Sequence, residues 1–190
     1  MKVLLTGASG FIGAHVARWL LDRNHDLAVV ALPDDPLNRL ACLRDRLNIL
    51  LAPLEATGAI RDAVRKFQPE TCIHLAWYAE PGQYFRFYEL NDDVLRFADE
   101  YFSYLNDCRG QHDVVLGDGR SNGADPRLDL FAELALRAKR LVWLCPEPPG
   151  RWGSGDSGML QYRPHCSHVS HCATAADLER AIDEALEAYD

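Results

Sequence analysis

Apolar runs alternate with amphipathic stretches through the first half of the chain. Val3-Leu4-Leu5 is a short apolar run. The stretch behind it repeats Ile12, Val16, Trp19 and Leu20 at the spacing of a helix that buries one stripe against a sheet. Leu27-Ala28-Val29-Val30-Ala31-Leu32 is continuously apolar, as in a strand covered by helices on both faces, and Pro33-Asp34-Asp35-Pro36 ends it. Asn48-Ile49-Leu50-Leu51 follows, then a helical stretch with Ile60, Val64 and Phe67 in register, then the run from Thr71 to Trp77.

An aromatic and acidic interval, QYFRFYELNDD at 83–93, fits neither neighbouring pattern. Beyond it Val94, Ala98, Tyr101, Phe102 and Leu105 mark a helix, and Val114-Val115-Leu116-Gly117 a strand ending at Asp118. Asp125-Pro126 opens another helix, with a capping side chain and a proline at the first helical position. Leu141 to Cys145 is a further strand, closed by Pro146-Glu147-Pro148-Pro149-Gly150. A short strand near His168 to Cys172 precedes the last helix, which starts on a Thr174/Asp177 capping box and buries Leu178, Ile182, Leu186 and Tyr189. Strands alternating with helices imply right-handed crossovers: an α/β fold, a doubly wound and mostly parallel sheet with helices on both faces, in a single three-layer domain. The strand at Leu4 is expected at its centre, with those of Val29 and Ile73 on either side and those of Val114 and Val142 beyond Ile73.

The first strand runs into Thr6-Gly7-Ala8-Ser9-Gly10-Phe11-Ile12-Gly13, which leads directly into the first helix. In such a strand-turn-helix, Gly7 permits the tight turn, Gly10 lets a phosphate approach the backbone, and Gly13 lets helix and strand pack closely. The first helical amides and the positive end of the helix dipole then face the anion. The bland alternative is a tight turn that binds nothing.

Composition narrows the partners. The chain has 190 residues, enough for one domain with a sizeable core, and is 48% hydrophobic without a run able to span a membrane. A formal charge of -8 argues against nucleic acid. Met1 leads straight into the first strand, leaving no room for a signal peptide. The six cysteines (Cys42, Cys72, Cys108, Cys145, Cys166, Cys172) contain no C-x-x-C pair and read as reduced thiols, so the expected location is the cytoplasm.

TGASGFIG, with Ile73-His74-Leu75-Ala76 and the following Trp77-Tyr78-Ala79-Glu80-Pro81-Gly82, resembles the N-terminal half of an extended short-chain dehydrogenase/reductase, the NAD-dependent epimerase/dehydratase family, over residues 1–85. The resemblance implies a Rossmann-like fold binding NAD or NADP. It carries Gly7, Ser9, Gly10, Phe11, Ile12 and Gly13 over as contacts of the cofactor turn, and Leu75 and Ala76 as contacts of the cofactor's middle. The family's acidic residue or arginine after the second strand is replaced by Leu32-Pro33, leaving Asp34 or Asp35 to serve from slightly further on. An aspartate after the third strand is replaced around Ala52-Pro53-Leu54. Weak cofactor binding is the expectation. The family's catalytic Y-x-x-x-K is absent: the lysines are Lys2, Lys66 and Lys139, none four positions after a tyrosine. No catalytic residue is assigned.

The stretches LGDGRSNGADPRLDLFAELALRAKRLVWLCPEP and RWGSGDSGMLQYRPHC resemble the C-terminal half of a von Willebrand factor A domain of the CoxE-like type, over residues 94–186. That resemblance makes Asp118 the remnant of a metal-ion-dependent adhesion site. Its D-x-S-x-S partner motif is missing, and one carboxylate cannot supply the roughly six oxygens a hard cation takes, so no metal is expected. The chain thus reads as a composite: a dinucleotide-binding half (1–85), a seam (86–93) and a von Willebrand A-like half (94–190).

His165, Cys166, His168, His171 and Cys172 are soft-metal ligand types off any standard zinc spacing, with His168 and His171 on opposite faces of a strand. Arg151-Trp152 and Asp156-Ser157 lie in a glycine-rich loop, either a binding loop or a structural one. Tyr78, Tyr84, Phe85, Phe87 and Tyr88 either line a pocket or cover a strand edge. Three functions follow: a dinucleotide-binding module of recombined or designed origin without catalytic machinery; an NAD(P)-dependent epimerase or reductase with an unconventional acid/base such as Tyr78 or His74; or a docking domain of von Willebrand A type without its metal.

Overall fold

Each apolar run becomes a strand of one parallel sheet. The strands are β1 (Lys2–Thr6), β2 (Asp26–Ala31), β3 (Leu47–Leu51), β4 (Thr71–His74), β5 (His112–Leu116), β6 (Arg140–Cys145) and β7 (His168–His171). The helices are α1 (Phe11–Asp22), α2 (Thr57–Phe67), α3 (Leu128–Arg137), the single turn α4 (Met159–Tyr162) and α5 (Ala175–Glu187). The structure, a computed structural model, describes residues 1–54, 56–76, 112–120, 126 and 128–187. The expected helix at 94–105, the aromatic seam with Tyr78, and Tyr189 lie outside the described residues.

The seven strands lie in the order β3-β2-β1-β4-β5-β6-β7, every pair parallel. The order reverses at β1, where Thr6 is flanked by Val30 of β2 and His74 of β4. A ligand crevice opens at the carboxyl ends of strands where the winding changes direction. The sequence placed β1 at the centre with β2 and β4 beside it, and so it stands.

Side chains alternate between two apolar layers, the reason the strand runs are continuously hydrophobic. Val3, Leu5, Leu27, Val29, Ile73, Val114, Val142 and Leu144 face the layer of α1 and α5. Leu4, Ala28, Val30, Cys72, Leu141, Trp143 and Cys145 face the layer of α2 and α3. The first layer joins both halves of the chain: Val16 and Leu20 of α1 share one cluster with Leu178 and Ile182 of α5. His15–Glu179 (2.9 Å) and Arg23–Asp183 (3.4 Å) tie the two helices at the surface. The one parallel sheet thus takes its strands from both sides of residues 86–93 in the sequence, β4 pairing with β5.

Three local expectations change. Ile12 does not belong to the buried stripe of α1. It is 45% exposed, and the stripe is Gly13, Val16, Ala17, Leu20 and Leu21, with Trp19 also covered. The first turn of α1 projects past the sheet edge, so a residue there has no sheet beneath it. Pro126 stands before α3 with its carbonyl accepting the Tyr162 hydroxyl (2.5 Å), so it is not the first helical residue. Residues Asn38–Arg46, unassigned from the sequence, form a 3-10 run that buries Leu40 and Leu43 behind a left-handed Leu37. Leu37, Leu40 and Leu43 recur every three residues, the period of that helix. The capping box of α5 forms as expected: Asp177 accepts the Thr174 amide (3.0 Å) and hydroxyl (2.8 Å), and Thr174 accepts the Asp177 amide (3.1 Å).

Candidate functional site

The glycine turn occupies the carboxyl end of β1. Gly7 has φ +69°, a left-handed backbone that side chains rarely adopt, and a Cβ there would meet the Leu75 carbonyl carbon at 2.6 Å. At Gly13 a Cβ would overlap the Gly7 carbonyl oxygen. Both glycines are therefore demanded by the fold itself, one by the turn and β4, the other by the approach of α1 to the turn. Gly10 differs. It caps α1 in an extended conformation (φ -69°, ψ 173°), and a Cβ would meet only the Gly7 oxygen, at 3.3 Å. A side chain at position 10 needs the Gly7 carbonyl to give by a few tenths of an ångström, far less than at Gly7 or Gly13.

α1 has neither a side-chain cap nor an acidic residue in its first turn. Its amino end, with Ser9 and Gly10 exposed or half-exposed and Phe11 83% exposed, opens onto the crevice. The first turn of α1 itself holds no negative group to complement the helix dipole at this end. Phe11, Ile12, Leu32 (53% exposed) and Leu51 (48% exposed) lie after β1, after β2 and at the end of β3, an apolar rim along the same carboxyl edge.

The opposite wall is the exit of β4. The Leu75 amide donates to the Thr6 carbonyl and the Ala76 amide to the Thr6 hydroxyl, each at 3.3 Å. The same hydroxyl lies 2.7 Å from His74 Nδ1. Burial pushes His74 down to about 4, against a smaller opposing pull from a backbone hydrogen bond to Ala76. At neutral pH its imidazole is therefore uncharged. The Leu75 and Ala76 backbone stands beside Gly7. Asp34 is exposed in the turn after β2, while Asp35 accepts the Leu37 amide (2.8 Å) and is committed to that turn. Ala52 is buried, its amide on the Ala31 carbonyl (2.9 Å).

Beyond β5 and β6 the same edge is closed by the chain's own groups. Arg120 donates to both Glu147 oxygens (2.9 and 2.8 Å) and to Asp156 (2.6 Å). Trp152 Nε1 donates to the Glu147 carbonyl (3.0 Å), Trp143 Nε1 to the Gly117 carbonyl (2.7 Å), and the Gly158 amide to the Gly119 carbonyl (2.7 Å). Asp118 Oδ1 accepts the Arg120 amide (3.0 Å). Asp156, one of the loop residues flagged in the sequence, is thus an ion-pair partner that holds the loop. No sequence motif announced Arg120, whose carboxylates lie 27 and 36 positions away.

Among the described residues no group of three His, Cys, Asp or Glu side chains could hold a metal. In the histidine/cysteine segment, His168 Nε2 contacts Ser170 (2.7 Å), His165 packs edge-on against Phe131, and burial pushes the Cys166 thiol up to about 12. Asp113, in β5 between Cys72 and Leu141, is buried with neither oxygen hydrogen-bonded, and burial alone raises its pKa well above the carboxylate range. The sequence reading started this strand at Val114 and missed it.

With this geometry in view, comparison with known proteins is informative. Residues 3–93 match the model of the NAD dependent epimerase/dehydratase family. No curated protein matches the chain. Among solved structures, UDP-glucose 4-epimerase from Thermus thermophilus, in complex with NAD, is similar at TM-score 0.62 and 18% identity. That match covers 76% of this chain and 54% of the epimerase, so the chain spans about half of that enzyme. WbmH from Bordetella bronchiseptica, in complex with NAD+, is similar at TM-score 0.65 and 16% identity, covering 98% of this chain and 72% of that one. UDP-glucose 4-epimerase from Thermotoga maritima, with UDP-glucose, gives TM-score 0.65 and 14% identity over 100% of this chain and 84% of that one. At such identities the likeness establishes the fold, a Rossmann-like parallel sheet. Among the described residues no helix is long and apolar enough to cross a membrane.

Proposed function

We propose that the chain is a dinucleotide-binding domain of the epimerase/dehydratase type, holding NAD or NADP weakly through the turn Gly7, Ser9, Gly10, Phe11, Ile12 and Gly13, with Leu75 and Ala76 against the cofactor's middle. The carrying observation is Gly10. Gly7 and Gly13 are explained by the chain's own packing, whereas position 10 faces an uncapped helix end with room that a phosphate would use. The family match over residues 3–93 and the NAD complexes of similar fold support the same ligand. When bound, the cofactor would supply hydride chemistry. The chain's own residues would hold its diphosphate at the α1 amides and its adenosine along the rim of Leu32 and Leu51, with Asp34 reaching in from the exposed turn. The absent Y-x-x-x-K leaves proton transfer without its usual agent, and His74, neutral and engaged with Thr6, is a poor acid at pH 7.

Two observations bear on a composite origin. The family match stops at residue 93, the end of the aromatic and acidic seam, and nothing in the comparisons supports a von Willebrand A-like second half. The fold likeness to WbmH and to UDP-glucose 4-epimerase extends over 98% and 100% of this chain, which fits a single continuous domain. Calorimetric titration with NAD, NADP and Mg²⁺, followed by an assay with NAD and UDP-glucose, tests the reading. Dinucleotide binding near 0.1–1 mM, about -4 to -6 kcal/mol, without turnover is expected. Turnover abolished by Tyr78→Phe would instead establish an enzyme, and no dinucleotide binding at millimolar concentration would remove the reading.

A further inference from the structure

Where α5 crosses the last two strands, its side chains are short. Leu178, Ile182 and Leu186 go to the apolar layer shared with α1, whereas Ala181 and Ala185 stand beside Val142 of β6 and His168 and Ser170 of β7. His168 and Ser170 pair with Val142 and Leu144, so they share the α5 face of the sheet, yet both are polar. Two methyl groups cannot fill the space above them, and a recess of about 110 Å³ remains. Arg140 opens β6 and His168 opens β7, which puts the recess toward the amino ends of the strands. The glycine turn lies at the opposite end, after β1.

The walls of the recess carry opposite charges. Arg140, half-buried, stands on the sheet side, and Glu184, exposed, on the helix side. Among the described residues no ion pair joins the two or engages either elsewhere. Arg180, one turn before Glu184, is held by Asp177, and α5 has no basic residue in its last turn. The Glu184 carboxylate and the negative end of the helix dipole therefore act together, and a cation placed there would be favoured. Across the gap, His168 Nε2 and Ser170 Oγ are 2.7 Å apart; with Nε2–H donating, the Ser170 hydroxyl proton is left for an acceptor. We propose that this recess binds a small α-amino acid, its carboxylate on Arg140 and Ser170, its ammonium on Glu184, and a compact side chain against Val142, Ala181 and Ala185. The size sets the class, because a dinucleotide or an aromatic amino acid exceeds it. A plain anion or a plain cation would leave one wall unpaired.

NMR titrations of the full chain with L-alanine, acetate, methylammonium and L-tryptophan at matched ionic strength test this. L-alanine is expected to give saturable shifts of the Val142, Ser170 and Ala185 amides in the millimolar range. Acetate and methylammonium should each bind about tenfold more weakly or worse, and L-tryptophan should leave these amides unmoved. Arg140→Gln and Glu184→Gln should each weaken L-alanine about tenfold, the loss of one charge-assisted hydrogen bond, and keep the parent's melting temperature. If Arg140→Gln does not fold, Glu184→Gln, on the exposed side of α5, carries the same test. No saturable shift with L-alanine overturns the inference. So does acetate binding as tightly as L-alanine, or L-alanine affinity unchanged in folded Glu184→Gln. Each result stands whether or not the glycine turn binds a dinucleotide.

Discussion

At the carboxyl end of β1 the first turn of α1 carries no side-chain cap, whereas beyond β5 and β6 the described residues pair their polar groups with one another. The first region has an uncapped helix, a glycine that its own packing crowds far less than Gly7 or Gly13, and an exposed apolar rim. The second has a guanidinium held by two carboxylates, and two indole donors on backbone carbonyls. Loops of equal glycine content thus differ in kind. A site is a place where groups are prepared and left uncommitted; a closed loop has spent them on itself.

The largest effect separates architecture from ligand space within the turn. Gly13→Ala forces a Cβ onto the Gly7 carbonyl and should cost about 3 kcal/mol or more, read as a loss of folding in denaturant melts. Gly7→Ala adds the left-handed penalty of about 1–2 kcal/mol to its contact with Leu75. If Gly13→Ala keeps the parent's stability, the approach of α1 to the turn is not as described.

Next in size is the exception in the closed half. Asp113 is the buried carboxyl there without a hydrogen bond, so Asp113→Leu should stabilise the fold by about 1–3 kcal/mol near pH 8. The sign follows from its raised pKa. The folded state holds the proton to higher pH than the unfolded state, so stability is full below about pH 4 and falls as pH rises through the folded pKa. His25, His74 and His112, all pushed down by burial, slope the other way between the folded pKa and 6.5. The Asp113 contribution is therefore the difference between variant and parent melts, which cancels theirs. A variant less stable at every pH would show that Asp113 has a favourable partner.

A smaller effect sharpens the contrast directly. Arg120→Gln should lower the melting temperature by unpairing Glu147 and Asp156, yet leave NAD affinity within about twofold, since independent sites combine additively. A marked loss of NAD affinity would make the closed loop part of the site.

Much of this was legible in the sequence, for stated reasons. β1, β2 and β6 are apolar on both faces, so their runs are unbroken. The turn and the Thr174/Asp177 box are local chemistry, visible within a few residues. β5 was read two residues short because His112 and Asp113 are polar yet buried, which no pattern of polarity reveals. The Arg120 lock joins two loops distant in sequence, and the Thr6–His74 contact spans 68 positions; only the fold brings them together. The exposure of Ile12 follows from where the sheet ends, again a property of the assembled molecule.

Gly10→Val tests the central claim most directly. If position 10 is kept as glycine for a ligand, the variant should still fold, because φ is negative there and the Gly7 oxygen, 3.3 Å from its Cβ, has to give by only a few tenths of an ångström. Its calorimetric titration with NAD should show no binding where the parent binds near 0.1–1 mM. A folded Gly10→Val that binds NAD as the parent does would contradict the account.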